Sequence, residues 1–541
     1  MKYKKIVTGA LVLAGTLTLA ACGGNSSASS GNSKTLNMVQ TSPIDSLDPV
    51  LGYETSSCTI IGNTYEGLYS VDNSGDVKLA LASKVKTSSD GLTQTYTIRK
   101  NAKWSNGDDV TAEDFVFAWQ RLADPKEASG FNFELGAAGI KNADDIVAGK
   151  MSPDKLGVES KGKKTLVIHY ASRVPYAKNI LSFSALAPVD KSYYQKNGKK
   201  FAQDSQHLVA AGPYKVSKWK SGDNTITLVK NNKYWDAKAV KVDKVKIQVI
   251  TDPEKAAIAY QNGTVDYTPL SSQVASKYKK TAGYKNQLGD FIQYLMFNMA
   301  NSNVNNSALH QAIAYSINKQ TIVKDVLKDG SEVANSMIMK NLVTDPGTNK
   351  DFASESTKGY TYSPAKAKAA WAKAKKQTST RSITLMYDDS DPAYDNVAAY
   401  IKAQVEKNLS GFKVNLQQVT KKTRLSKLSS GAFDVMLTRW GPDYADPTAI
   451  LTMYRSDNNS NYMKWVNKDF DAAMDQAASR DANDSAKRYK DLLKANDILV
   501  DSAACPPLYQ VSSPVLQRSS VHGLVDHLAG VTYRFKYVTV K

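Results

Sequence analysis

The chain has 541 residues, 42% hydrophobic and 22% charged, which is too much apolar material for one core and predicts two or three lobes. Its formal net charge of +19 comes mostly from lysines spread from end to end, without an RNP string, zinc-finger spacing or arginine-rich block. That pattern argues against nucleic acid and for solubility or attraction to anionic wall polymers and lipid headgroups. Five histidines, none in H-E-x-x-H or at metal-ligand spacing with the three cysteines, give no reason to expect a metal or cofactor. No G-x-S-x-G elbow points to a hydrolase, so the chain reads as a non-enzyme.

In chain order, Lys2, Lys4 and Lys5 precede an apolar stretch from Ile6 to Ala20, shorter than a bilayer span and matched to a signal peptide over residues 1–21. It ends in Leu19-Ala20-Ala21-Cys22, a string that resembles a bacterial lipobox and implies a lipidated Cys22 at the new N-terminus. Residues 22–34 would then be the lipidated cysteine and a flexible Gly/Ser/Asn tether. A diacylglycerol group suffices for stable anchoring where a single chain does not.

Thr93 to Arg99 alternates as a strand after a turn at Gly91. Thr111 reads as a helix N-cap with Asp114 at the capping-box position; Phe115, Ala118, Trp119 and Leu122 follow at helical spacing, and Asp124-Pro125 stops the helix. Gly157 to Lys163 mimics the start of a phosphate loop, but Lys164 stands where a Ser or Thr is needed, so the segment reads as a turn between strands. Leu166 to Tyr170 is the second of these strands, with His169 on one face. Val242 to Ile250 is a strand ending at Asp252-Pro253, and Ser363-Pro364 opens a helix reaching about Lys376. Helices and strands alternate without a fixed period, which predicts a mixed α/β or α+β fold.

Several strings together resemble the peptide- and nickel-binding family 5 of bacterial extracellular solute-binding proteins, its oligopeptide-binding branch above all. They run from Leu47-Asp48-Pro49 and Tyr65-Glu66-Gly67-Leu68 through Tyr96 to Gly107 and Val110 to Trp119. Ala211-Gly212-Pro213-Tyr214, Asn232 to Asp236, Asn262 to Asp266, Asn318-Lys319 and Phe433-Asp434-Val435 complete the series. The resemblance implies a two-lobed type II periplasmic-binding-protein fold with an extra domain and a cleft between the lobes. Residues 35–70, 185–289 and 511–541 would form lobe I, residues 71–184 the extra domain and residues 290–510 lobe II.

By the same resemblance, the aspartate of Trp440-Gly441-Pro442-Asp443-Tyr444 pairs with the α-ammonium of a bound oligopeptide, and Arg439, Trp440 and Gly441 offer a strand edge to its backbone. Ser56, Ser57 and Cys58 would supply the facing edge; Trp440 and Tyr509 would line roomy side-chain pockets. Cys58 and Cys505 are the cysteines left after processing, and in an exported protein such a pair is a candidate disulfide. Some relatives carry a glutamate near the position of Ser56 or Ser57, and Leu428, Ser429, Ser430 and Leu437 stand where some place basic residues for a short peptide's carboxylate. The implied ligands are therefore longer or more varied peptides.

The implied partners are oligopeptides, the permease subunits of an ABC importer with their cytoplasmic ATPases, and the extracytoplasmic face of the cell membrane through the lipid; the chain itself is expected to be a monomer. A pheromone receptor and, further off, an extracellular hydrolase on the same scaffold are the competing readings. Replacing Cys22 with Ala should leave the fold intact yet shed the protein from membranes or leave the signal peptide attached, as fractionation and mass analysis would show; a processed, membrane-bound variant would end the lipoprotein reading.

Overall fold

The computed structural model describes residues 34–541 except 357, 358, 392 and 459, so the expected signal peptide, Cys22 and the tether up to residue 33 lie outside the described residues. Among these residues no helix is long and apolar enough to cross a membrane.

Local signals set several elements. Thr111 Oγ1 accepts from the Asp114 N–H at 3.3 Å and Asp114 Oδ2 accepts from the Thr111 N–H at 2.8 Å, closing the capping box of the helix Ala112–Ala123. Gly91, at φ +73°, turns the chain into the strand Thr93–Ile98. The phosphate-loop mimic is a hairpin: Gly162, at φ +81°, lies in the turn joining the strands Val158–Ser160 and Thr165–His169. Asp252 caps the helix Pro253–Gln261, and Ser363 caps Pro364–Gln377 with proline at its first position.

Three principal sheets organise the chain. The first has seven strands in the order Tyr284–Lys285, Val515–Gln517, Tyr267–Pro269, Thr35–Gln40, Lys244–Val249, Thr225–Lys230 and Tyr214–Lys218. Thr35–Gln40 runs parallel to both of its neighbours. The second has six strands, Glu332–Val333, Pro507–Ser512, Leu288–Phe297, Val435–Trp440, Ser382–Asp388 and Lys413–Val419. An antiparallel sheet of four, from Ala82–Thr87 to Val158–Ser160, makes the third. The chain passes from the first sheet to the second between Lys285 and Leu288 and returns between Ser512 and Val515. These two crossings lie side by side, with the Ser513 N–H donating to the Gln287 carbonyl at 2.7 Å.

Packing explains why the strands read as they do. In Leu288–Phe297, Ile292, Tyr294 and Met296 face one core while Leu295 and Phe297 face another, so both faces of the second sheet are covered. The third sheet has no core of its own. Tyr96, Ile98, Leu166 and Ile168 join Leu36, Met38, Val245 and Ile247 of the first sheet in one continuous cluster, together with Phe115, Trp119 and Leu122 of the capped helix.

Trp119 is fully buried and its Nε1–H donates to the Leu186 carbonyl at 2.9 Å. Trp119→Ala should cost ~3–5 kcal/mol of stability, through the cavity left in a core shared by two sheets. Urea denaturation should show a lower midpoint with an unchanged slope.

Candidate functional site

The segment from Arg439 to Pro447 starts in a strand and ends docked on another part of the molecule. Val435–Trp440 pairs with the central strand along its whole length, Leu437 opposite Leu295, Arg439 opposite Gln293 and Trp440 opposite Ile292. Its other neighbour, Ser382–Asp388, pairs with Val435 and Met436 alone, so among the described residues the far edge of residues 437–440 carries no ladder. Gly441 then passes so close to the crossing strand that a Cβ there would stand 2.6 Å from the Asp290 carbonyl oxygen and 3.0 Å from the Phe291 ring. Pro442 follows and donates no main-chain hydrogen bond.

Beyond Pro442 the loop rests on residues 176–183. Tyr444 stacks on Tyr176 with ring centroids 5.6 Å apart and planes 5° from parallel, and Tyr444 belongs to the core of the first and third sheets. Asn179 Nδ2 donates to the Ala445 carbonyl at 2.8 Å. Arg488 grips Asp446 with two bonds of 2.8 Å and lies 5.1 Å over the Tyr176 ring.

This docking leaves Asp443 half-buried at the wall of a cavity of about 460 Å³, which is also lined by Phe183, Gln287, Asp526 and Val531. The partner of its carboxyl is another carboxyl. Glu134, in the short helix Glu134–Ala137, is fully buried, and no N–H or O–H donor of the described residues reaches either of its oxygens. Burial pushes Glu134 well above the usual carboxylate range, and the charge of Asp443 and the hydrogen bond to it push it further the same way. Asp443 is raised to about 6 by burial, against the hydrogen bond it accepts from Glu134. Glu134 is therefore the protonated member near neutral pH, and no cation figures among the causes acting on either group. The sequence offered no signal for it beyond an acid set in the apolar run Phe131-Asn132-Phe133-Glu134-Leu135.

The other expected site residues divide. Arg439 lies 4.6 Å over the Phe291 ring and 5.7 Å from that of Tyr394, beside Asp290, whose carboxyl burial raises to about 6 against the pull of Arg439. Tyr509 is a core residue that touches a cavity of about 200 Å³ with Asp290, Asp391 and Arg439. Trp440 lines a cavity of only about 60 Å³ with Tyr294, Leu428, Tyr454 and Tyr462, too small for the roomy pocket expected of it.

Two expectations are corrected. Ser56, Ser57 and Cys58 form no strand edge; they lie in the first turn of the helix Thr55–Thr64, where the Cys58 N–H is spent on the Glu54 carbonyl at 2.9 Å. Ser56 Oγ bonds to Ser42, and Ser57 Oγ accepts from the Asp45 N–H at 3.0 Å, so these hydroxyls fasten a loop. Cys58 and Cys505 are free thiols, buried in different hydrophobic cores, and are not bridged. No group of metal-binding side chains occurs among the described residues.

The sequence model of bacterial extracellular solute-binding proteins, family 5 Middle, matches residues 76–462. A dipeptide-binding protein of Lactococcus lactis subsp. cremoris is 32% identical over 562 residues, covering 100% of both chains. The structure of Listeria monocytogenes OppA bound to peptide superposes with a TM-score of 0.78 at 32% identity, over 94% of this chain and 99% of that one. The pheromone receptor PrgZ, whose structure describes its mode of peptide binding, gives a TM-score of 0.78 at 30% identity over 94% and 100% of the two chains.

The free cysteines yield a direct test. Burial pushes the Cys58 thiol up to about 12 and raises that of Cys505 as well, so both should resist a thiol reagent in the native state. Titrating a soluble chain that begins at residue 34 should count two thiols only after denaturation; their absence without a reductant would restore the bridge.

Proposed function

Because the chain belongs to family 5 of the bacterial extracellular solute-binding proteins, we propose that it captures oligopeptides in a cleft between two lobes and delivers them to an ABC importer. Residues 35–70, 185–289 and 511–541 serve as lobe I with residues 71–184 as the extra domain, and residues 290–510 serve as lobe II. The paired crossings near residues 287 and 513 are the natural hinge, since two adjacent strands are all that joins the first and second sheets covalently. Cys22 carries the lipid that holds the protein on the extracytoplasmic face of the membrane, where a monomer meets the permease subunits.

The observation that carries peptide capture is Asp443, a carboxylate withdrawn from bulk water at a cavity wall without a cation of the described residues to pair it. A peptide's α-ammonium is the complementary group, and in a site of reduced polarity such a charge-assisted bond is strong. The unpaired edge at residues 437–440 supports the rest of the reading, because an extended peptide can add there through its main chain whatever its sequence. Arg439, Trp440, Gly441 and Tyr509 accordingly stay within the proposed site, whereas Ser57 and Cys58 act only by holding the loop that faces it. The likeness to PrgZ favours one second reading, a receptor for a particular signal peptide. Mass spectrometry of co-purifying ligands separates the two: a mixture of sequences marks nutrient capture and a single sequence marks signalling.

Asp443→Asn keeps size and removes charge. Breaking one side of a buried charge pair costs ~2–5 kcal/mol. At ~1.4 kcal/mol per decade, affinity for an alanine peptide should fall roughly thirtyfold or more. N-acetylating the peptide should reproduce that loss in the wild type and add little in the variant. Equal calorimetric affinity of wild type for free and acetylated peptide would refute capture of the amine.

A further inference from the structure

Asp443 and Glu134 come from distant parts of the chain, one from the loop after Val435–Trp440 and the other from the short helix Glu134–Ala137, and their carboxyls meet out of reach of any basic side chain of the described residues. Two ionised carboxylates in such contact would repel across a medium that screens poorly, whereas one proton between them turns the contact into a short-range attraction. Glu134 has no other donor or acceptor use: it is fully buried and neither oxygen meets a donor group among the described residues. Asp443 is thus the partner that the described residues offer it.

The titratable groups around the pair leave that arrangement undisturbed. Tyr53 faces Asp443 from the loop before the helix Thr55–Thr64, Cys58 faces it from the first turn of that helix, and Tyr444 lies beside Glu134 on the loop that carries Asp443. In each of the three, burial first, and then a carboxylate of the pair among the further causes, holds the hydroxyl or thiol neutral at ordinary pH.

We propose that Glu134 is a positioning residue for the ligand's amino terminus: a neutral carboxylic acid whose O–H donates to Asp443, so that the two carboxyls together present a single negative charge to a single ammonium. This rests on the reading of Asp443 as the ligand for that ammonium and adds how the aspartate is held and charged. Of the Asp443 lone pairs, the hydrogen bond from Glu134 occupies one set and fixes the orientation of the others. A carboxyl pair that carries one negative charge matches one peptide ammonium without a second carboxylate left unpaired beside it.

The empty site takes up a proton at Asp443 as pH falls through about 6, and the ammonium needs that carboxyl ionised, so affinity should drop below that pH by at most about tenfold per unit. Calorimetry with a synthetic alanine tetrapeptide, across pH 5–8, on wild type, Glu134→Gln and Glu134→Ala tests the proposal. A glutamine amide donates the same hydrogen bond and carries no charge, so Glu134→Gln should stay within about threefold of wild type and keep the acid limb. Glu134→Ala should bind about tenfold more weakly, the worth of one hydrogen bond to a charged group, and its acid limb should move to higher pH because the bond that favours ionised Asp443 is gone.

If Glu134→Gln loses as much affinity as Asp443→Asn, Glu134 acts as a second anion and the proposal is overturned. If Glu134→Ala binds with wild-type affinity and an unmoved acid limb, Glu134 has no part in the site. Neither result touches the amine reading itself, which fails only if acetylated and free tetrapeptides bind wild type alike.

Discussion

A carboxyl group taken out of water has to recover its lost solvation from something, and two acids in one short loop do so in opposite ways. Asp446 is answered within the protein: Arg488 meets it with two hydrogen bonds, and Thr448 adds its N–H and its hydroxyl. Asp443, three residues earlier, has a neighbouring acid and, among the described residues, no cation. The first solution is complete and therefore structural; the second leaves a charge site open at a cavity wall.

The frame that sustains this contrast is built from packing on both sides of the loop. The second sheet is covered on both faces, so the strand Val435–Trp440 cannot shift register without exchanging the two cores; Val435 and Leu437 face one and Met436 the other. Gly441 allows the strand to leave the sheet against the crossing strand, where any Cβ would collide with the Asp290 carbonyl. Tyr444 then buries its ring in the core shared by the first and third sheets, against Tyr176. The acid between these two fixed points inherits its position from them. Tyr176 packs against that same core, and Leu135, next to Glu134, lies within it.

Much of the fold was legible because its signals are local. The capping box at Thr111 and Asp114, the turn at Gly91, the hairpin at Gly162 and the Asp252-Pro253 helix start all involve partners within a few residues, and each formed as its chemistry directs. Ser56 to Cys58 went the other way. The run Thr55 to Ile61 is rich in β-branched residues, yet it is helical, because burial of Ser56 to Thr64 on nearly every side outweighs a weak local propensity. The cysteine pairing was equally out of reach, since nothing in the spacing of Cys58 and Cys505 says that they enter separate cores.

By itself the sequence determined the family, through strings spread over the whole chain, and singled out Asp443 by the residues on either side of it. It also determined the elements whose ends are capped or turned by their own neighbours. Only the tertiary structure decided what surrounds Asp443: that Glu134 meets it, that Arg488 takes Asp446 instead, and that Trp440 has little free space beside it. The reason is physical. A cap or turn is satisfied by groups a few bonds away, whereas the charge state of a buried acid depends on which distant side chains the packed sheets bring within hydrogen-bond reach, and on how much water they exclude.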